Sequence, residues 1–307
     1  MKILRLVWVF CCFLPLHDVS AADSPGNKIG ILLINSDASL DKYKLVQEAF
    51  LERTPYPVRE IDLGARQWGT RRLENFLYDE YPDITYCIGS KAYLTAKKYV
   101  REKYIVFSSV LNWLRIPLTP NTYGASNELH EDMQLMLFRY IFPDIGKIGM
   151  IYGKYTARWF EKVRKKAKEM EINIMGQNIS ETGGSFSAFG KLPKDIAAFW
   201  LISDPDITLD KKGLAKILKT CDAKKIPVFS YHDAFARLGA VLILSVDDST
   251  IGRQAAAIAM KLGSGKRPGQ KVQPPAGSHI ILNMKKVKSY GISYNEDALE
   301  AVNTIIE

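Results

Sequence analysis

Four cysteines and four histidines in 307 residues are too few to build a disulfide-stapled scaffold or a zinc framework. Two of the cysteines, Cys11 and Cys12, lie in an apolar N-terminal run. That leaves Cys87 in a strand-like segment and Cys221 near the end of a helix-like one, both read as buried thiols. No Cys-x-x-Cys or His-x-x-x-His spacing occurs, so no metal and no cofactor is expected. A Gly-x-Ser-x-Gly elbow for acyl transfer is also missing. Gly263-Ser264-Gly265-Lys266-Arg267 lacks the earlier glycine of a phosphate loop, carries Arg267 where a magnesium-binding hydroxyl belongs, and follows a helix; it reads as a surface loop. Beyond the N-terminus no run approaches the roughly 20 apolar residues that span a bilayer. The formal charge is +9, but lysines and arginines are scattered over helix faces such as Lys162 to Lys168, with no aromatic-interleaved cluster. Nucleic acid is therefore not an expected partner.

The N-terminus is informative. Lys2 and Arg5 precede an apolar run from Leu6 to Leu16, and small residues at Ser20, Ala21 and Ala22 permit cleavage after Ala21 or Ala22. Residues 1–22 read as a secretory signal peptide, and the mature protein is expected to be soluble, monomeric, and periplasmic or otherwise secreted. Cys11 and Cys12 sit inside the run behind Phe10, the wrong place for a lipid anchor.

The 307-residue sequence is 47% apolar and 24% charged, the composition of a globular protein, and its length favours two similar domains over one core. Short β-branched runs alternate with amphipathic stretches, as parallel strands joined by helical crossovers do. An internal repeat sharpens this. Lys28-Ile29-Gly30-Ile31-Leu32-Leu33 recurs as Lys147-Ile148-Gly149-Met150-Ile151-Tyr152, 119 positions on, and Val106-Phe107-Ser108 recurs as Val228-Phe229-Ser230, 122 positions on. The fold class is thus α/β, with two doubly wound parallel-sheet lobes joined by a multi-strand hinge. The first lobe is expected over 27–125 plus about 247–282, and the second over 126–246 plus about 283–307. The strand near Ile280 to Met284 is assigned to the first lobe as the economical return, and a second-lobe helix is placed from about Thr208.

Several segments resemble a known family. Lys225-Ile226-Pro227-Val228-Phe229-Ser230, Arg237-Leu238-Gly239-Ala240, Ser245-Val246-Asp247-Asp248 and Ile251-Gly252-Arg253-Gln254-Ala255-Ala256 are similar to the substrate-binding component family of ABC transporters, which includes tryptophan/tyrosine-type binding proteins. Asn121 to Ser126 resembles that family's crossing segment, and Phe142-Pro143-Asp144 with Lys147-Ile148-Gly149 its passage into the second lobe. The resemblance implies a type I periplasmic-binding fold, a small-molecule ligand held between lobes, and delivery to a membrane permease served by a cytoplasmic ATPase. Asn35 to Ser39 and Trp113-Leu114-Arg115 depart from the usual loops, which keeps a receptor ectodomain as an alternative partner.

In open parallel sheets, ligands sit beyond the carboxyl ends of the strands. The first-lobe candidates are Asn35 and Ser36, Ser90, then Ser108, Ser109 and Trp113, with Asn112 beside them. Second-lobe candidates are Tyr152, Asp204, Ser230 and Tyr231, with Asp247 at the returning crossing. Serine hydroxyls beside helix N-termini suit a carboxylate, and Asp204 or Asp247 suits an ammonium, so an amino acid or a small cyclic relative is the expected ligand. Plain helix capping is the competing reading for the serines, for Asp206 and for Asp248. Trp159 reads as packing. No catalytic residue is assigned; a secreted enzyme built on Tyr231, His232 and Asp233 is the competing class.

Overall fold

The computed structural model describes residues 30–65, 70–80 and 82–307, so the leader and its cleavage site lie outside the described residues. Apolar runs become strands wherever both faces are covered by helices, which is why β1 (Ile31–Asn35) reads Ile-Leu-Leu-Ile-Asn and is buried throughout. The first lobe continues with α1 (Asp41–Arg53), β2 (Val58–Asp62), α2 (Thr70–Glu80), β3 (Ile84–Ile88), α3 (Ser90–Tyr99), β4 (Tyr104–Ser108) and β5 (Thr122–Ala125). The chain then builds a second unit from α4 (Glu131–Ile141), β6 (Lys147–Tyr152), α5 (Ala157–Glu169), β7 (Asn173–Asn178), α6 (Ser185–Gly190) and β8 (Ala198–Trp200). There follow α7 (Pro205–Thr208), α8 (Lys211–Ala223), β9 (Val228–Ser230) and β10 (Leu242–Val246). Last come α9 (Asp248–Gly263), β11 (Val272–Gln273), β12 (Ser278–Asn283), α10 (Met284–Tyr290) and β13 (Thr304–Ile306).

Both sheets have the same doubly wound order. One runs β2-β1-β3-β4-β5 and is extended by β11; the other runs β7-β6-β8-β9-β10 and is extended by β12 and β13. The repeated segments occupy equivalent places, since β1 and β6 are the first strands of their sheets and β4 and β9 the fourth. The chain passes between sheets from β5 to α4, from β10 to α9, and from β11 to β12.

The last of these passages corrects the sequence reading. The strand expected in the first lobe is β12, and it pairs antiparallel with β10 of the second sheet, Leu242 opposite Leu282 and Val246 opposite Ser278. A boundary near residue 282 would cut this strand. Without β12, β10 would present a row of unpaired backbone groups, and Ile280, Ile281 and Leu282 would lose their place in the second-lobe core. A smaller correction concerns Thr208, which ends α7; the next helix begins at Lys211, where the Asp210 carboxylate accepts from Gly213 N.

α9 returns to the first sheet and lies against α1. Val46 and Phe50 meet Ile251, Ala255 and Ala256 in one core. At Gly252 an added Cβ would land on the Val46 backbone carbonyl, closer than real Cβ atoms approach, so the two helices touch because this residue has no side chain. Gly252→Val is expected to destabilise the protein at the upper end of about 1–3 kcal/mol, measured as a lowered urea midpoint with an unchanged slope.

Candidate functional site

A cavity of about 510 Å³ lies between the two sheets and against the hinge. The first lobe supplies Asn112, Trp113 and Arg115 from the loop after β4, and the hinge supplies Ser126, Glu128 and Gln273. From the second lobe come Tyr155, Trp159, Trp200, Ser203 and Tyr231. The walls therefore belong to both lobes, and five of these residues are aromatic.

The first-lobe loop is set by unusual backbone. Ser109 and Asn112 adopt left-handed conformations, with φ of 56° and 52°, and a single 3-10 turn over Trp113–Arg115 follows. Asn tolerates this region and Ser does so at a cost, so the turn is held from outside. Asn112 N donates to Glu128 Oε1 at 2.6 Å, and Trp113 Nε1 donates to Ser126 Oγ at 3.1 Å. Asn112 Nδ2 donates to Ser203 Oγ at 3.2 Å, a direct bond between lobes. Across the mouth the Arg115 guanidinium sits 5.8 Å from the Tyr155 ring centroid.

On the opposite wall Trp159 meets Trp200 edge-on with centroids 5.6 Å apart, and Trp200 stands edge-on to Phe138 at 4.9 Å. Burial pushes the Tyr231 hydroxyl up to about 12, against a hydrogen bond with Ser203. Glu128 is half-buried at the hinge. Burial drives its carboxyl up to about 7, although hydrogen bonds from Asn112 N and the Ser126 hydroxyl favour the ionised form. Among the described residues no Lys, Arg or His is paired with it. Glu131, also at the cavity, is ion-paired with Lys162. His130, Glu131 and Asp132 place ligating atoms within 4.8 Å of one another. His130 is the N-cap of α4 and the two acids open its first turn, where their carboxylates are already matched by Lys162 and Lys166.

Of the residues singled out in the sequence, Trp113 and Tyr231 line the cavity, and so does Asn112 beside them. The strand-end serines, Asn35, Tyr152, Asp204 and Asp247 lie apart from its lining. Asn35 turns back to α1, with Nδ2 donating to Gln47 Oε1 at 2.7 Å. Ser36 Oγ donates to Ile88 O and accepts from Ala92 N at 3.0 Å, capping α3 across the sheet. Ser90 opens α3, and Ser108 Oγ is bonded to Tyr86 OH at 2.7 Å in the core. Ser109 and Ser230 carry buried hydroxyls without a hydrogen-bond partner among the described residues. Tyr152 stacks on Phe160 at 4.1 Å. Asp247 caps α9 through Thr250 N at 2.6 Å. Asp204 is fully enclosed: its carboxylate accepts from Gly153 N at 3.0 Å, Thr156 Oγ1 at 2.5 Å and Asp206 N at 2.8 Å.

Sequence reasoning missed Glu128, Arg115 and Trp200, while Trp159, read as packing, does pack on Trp200 and also lines the cavity. Glu128 was findable as the first charge after the Gly124-Ala125-Ser126 crossing.

The chain is similar to several known proteins. A tyrosine-binding protein of Clostridioides difficile (strain R20291) is 22% identical over 278 residues, covering 85% of this chain and 80% of that protein. A solved Streptococcus pneumonia ABC domain in complex with L-Trp superposes with a TM-score of 0.62 at 16% identity, covering 91% of this chain and all (100%) of that one. The ligand-free, open structure of CD0873, a substrate binding protein with adhesive properties from Clostridium difficile, gives 0.66 at 14% identity over 90% of this chain and 99% of that one. These structures share the two-lobed type I periplasmic-binding fold. The family of ABC transporter substrate binding proteins matches residues 70–305, well over half of the sequence, and the chain belongs to that family.

Proposed function

We propose that this substrate-binding protein captures an aromatic amino acid between its lobes and, as an exported protein, presents the closed form to the permease of an ABC importer. One observation carries the reading: the interlobe cavity is walled by Trp113 on one lobe and by Tyr155, Trp159, Trp200 and Tyr231 on the other. Flat apolar rings are recognised by such walls through offset and edge-on contacts, and 510 Å³ suits a molecule the size of tyrosine or tryptophan. The names of the relatives point the same way, one being a tyrosine-binding protein and another a complex with L-Trp. A ligand that touches both walls favours the closed arrangement by its differential affinity, which converts occupancy into a shape a membrane partner can read. No helix among the described residues is long and apolar enough to cross a membrane.

The test is a thermal-shift screen of purified protein freed of carried-over ligand by unfolding and refolding. At 100 times its dissociation constant a ligand adds about 2.7 kcal/mol of stability. L-tyrosine or L-tryptophan is expected to raise the melting temperature and glucose or ribose not to, and Trp159→Ala is expected to weaken binding by at least about tenfold. A rise with sugars alone would refute the aromatic reading.

A further inference from the structure

We propose that the cleft is polarised for an α-amino acid, with Glu128 at the hinge binding the ligand's ammonium and Arg115 at the mouth binding its carboxylate. The inference rests on the aromatic amino-acid reading above and assigns which protein groups take the two charged ends.

The charges at the cavity support it. Arg115, Glu128, His130, Glu131 and Lys162 line it, and the tyrosines Tyr155 and Tyr231 are the other titratable groups facing the same space. Glu131 and Lys162 neutralise each other. His130 lies 3.9 Å from the Glu131 carboxylate and 3.8 Å from that of Asp132. That leaves one anion and one cation without an opposite partner among the described residues, Glu128 and Arg115. An uncompensated carboxylate in an aromatic-walled cavity is costly unless something cationic arrives. The protein gives Glu128 two hydrogen bonds, Asn112 N on Oε1 and Ser126 Oγ on Oε2. A carboxylate has about four acceptor sites, so two remain for an ammonium. Arg115 rests on Tyr155 with its guanidinium exposed at the rim, where planar donors match a carboxylate.

The two charges differ in setting, and the chemistry inherits the difference. Glu128 is the more buried, so losing the ammonium costs more than losing the carboxylate. Asn112 ties Glu128 to Ser203 of the second lobe, so an ammonium at Glu128 also sits where the lobes are joined.

The experiment is isothermal titration of the ligand-free protein with two matched sets: L-tyrosine, tyramine and 3-(4-hydroxyphenyl)propionate, and L-tryptophan, tryptamine and indole-3-propionate. The amino acid is expected to bind best, the amine less well, and the deaminated acid worst, at least about tenfold below the amine. Glu128→Gln should weaken the amino acid and the amine by at least about tenfold while leaving the acid unchanged or tighter. Arg115→Gln should weaken the amino acid but not the amine. Because Glu128 must be ionised to hold an ammonium, amine affinity should fall as the pH drops through about 7 in wild type and stay flat in Glu128→Gln. The ligand-free protein runs the opposite way. A raised carboxyl stabilises most below the ordinary glutamate range and loses that contribution as pH climbs through about 7, a trend Glu128→Gln should reduce in melting temperature. A Glu128→Gln variant that weakens all three ligands of a set equally, or the amino acid by less than about threefold, overturns the polarity while the aromatic reading stands. If no member of either set binds wild type, both fall together.

Discussion

Trp200→Ala is expected to lower the unfolding free energy by about 3–5 kcal/mol, the largest stability loss foreseen here for a single change at the cleft. The indole is 1% exposed at the end of β8, so its whole surface leaves water on folding. It is also the shared partner of two edge-on pairs, Phe138 beneath it and Trp159 toward the cavity. Truncation forfeits the transfer energy, both ring contacts and the support for Trp159, because a strand in mid-sheet cannot collapse to fill the space. Urea unfolding reads the first effect. Titration with an aromatic ligand reads the second, since a Trp159 ring without its backing samples other rotamers and binds more weakly. A loss below about 1 kcal/mol would mean that the surrounding helices close the hole.

Asp204→Ala should cost roughly 3 kcal/mol for a different reason. Three donors converge on this carboxylate, and truncation leaves the Gly153 and Asp206 backbone N–H groups and the Thr156 hydroxyl without their acceptor. Each orphaned buried donor costs about 1–3 kcal/mol, partly recovered where the loop can open to water. Asp204 ties the end of β6 to the start of α7, so the Tyr155–Trp159 wall should loosen with it. Asp204→Asn keeps one acceptor and the shape, and its melting point should fall between those of wild type and the alanine variant. An asparagine variant of unchanged stability that no longer binds ligand would return Asp204 to the ligand contacts that the strand-end rule assigns to it.

The architecture was legible because it is written in alternation and repetition. Val106-Phe107-Ser108 and Val228-Phe229-Ser230 are the fourth strands of two sheets with the same order, and their near-constant offset carried the duplication. Strand β12 was not legible, because an apolar run of its length fits either sheet. The exposed edge of β10 decides, and an edge exists only once the sheet is built. The site divides similarly. Strand-end reasoning led to Trp113 and Tyr231 at the cavity, but polar residues at strand ends also satisfy helix N-termini, and Ser36 and Asp247 do so here. Glu128 and Arg115 lie on the crossing and in a left-handed loop, where no periodicity marks them; only the meeting of the lobes gives them a shared space.

The return of α9 to the first sheet sets an order of assembly. Tyr56 reaches Met260, 204 residues away, and the apolar face of α1 meets its partner only when α9 is present. As the chain emerges, strands β6 to β10 can pair while the first lobe still lacks a cover on one side. Contacts of such long sequence separation form late and make folding slow. A polypeptide whose first lobe stays incomplete until its last quarter is available remains unfolded for longer than its size suggests.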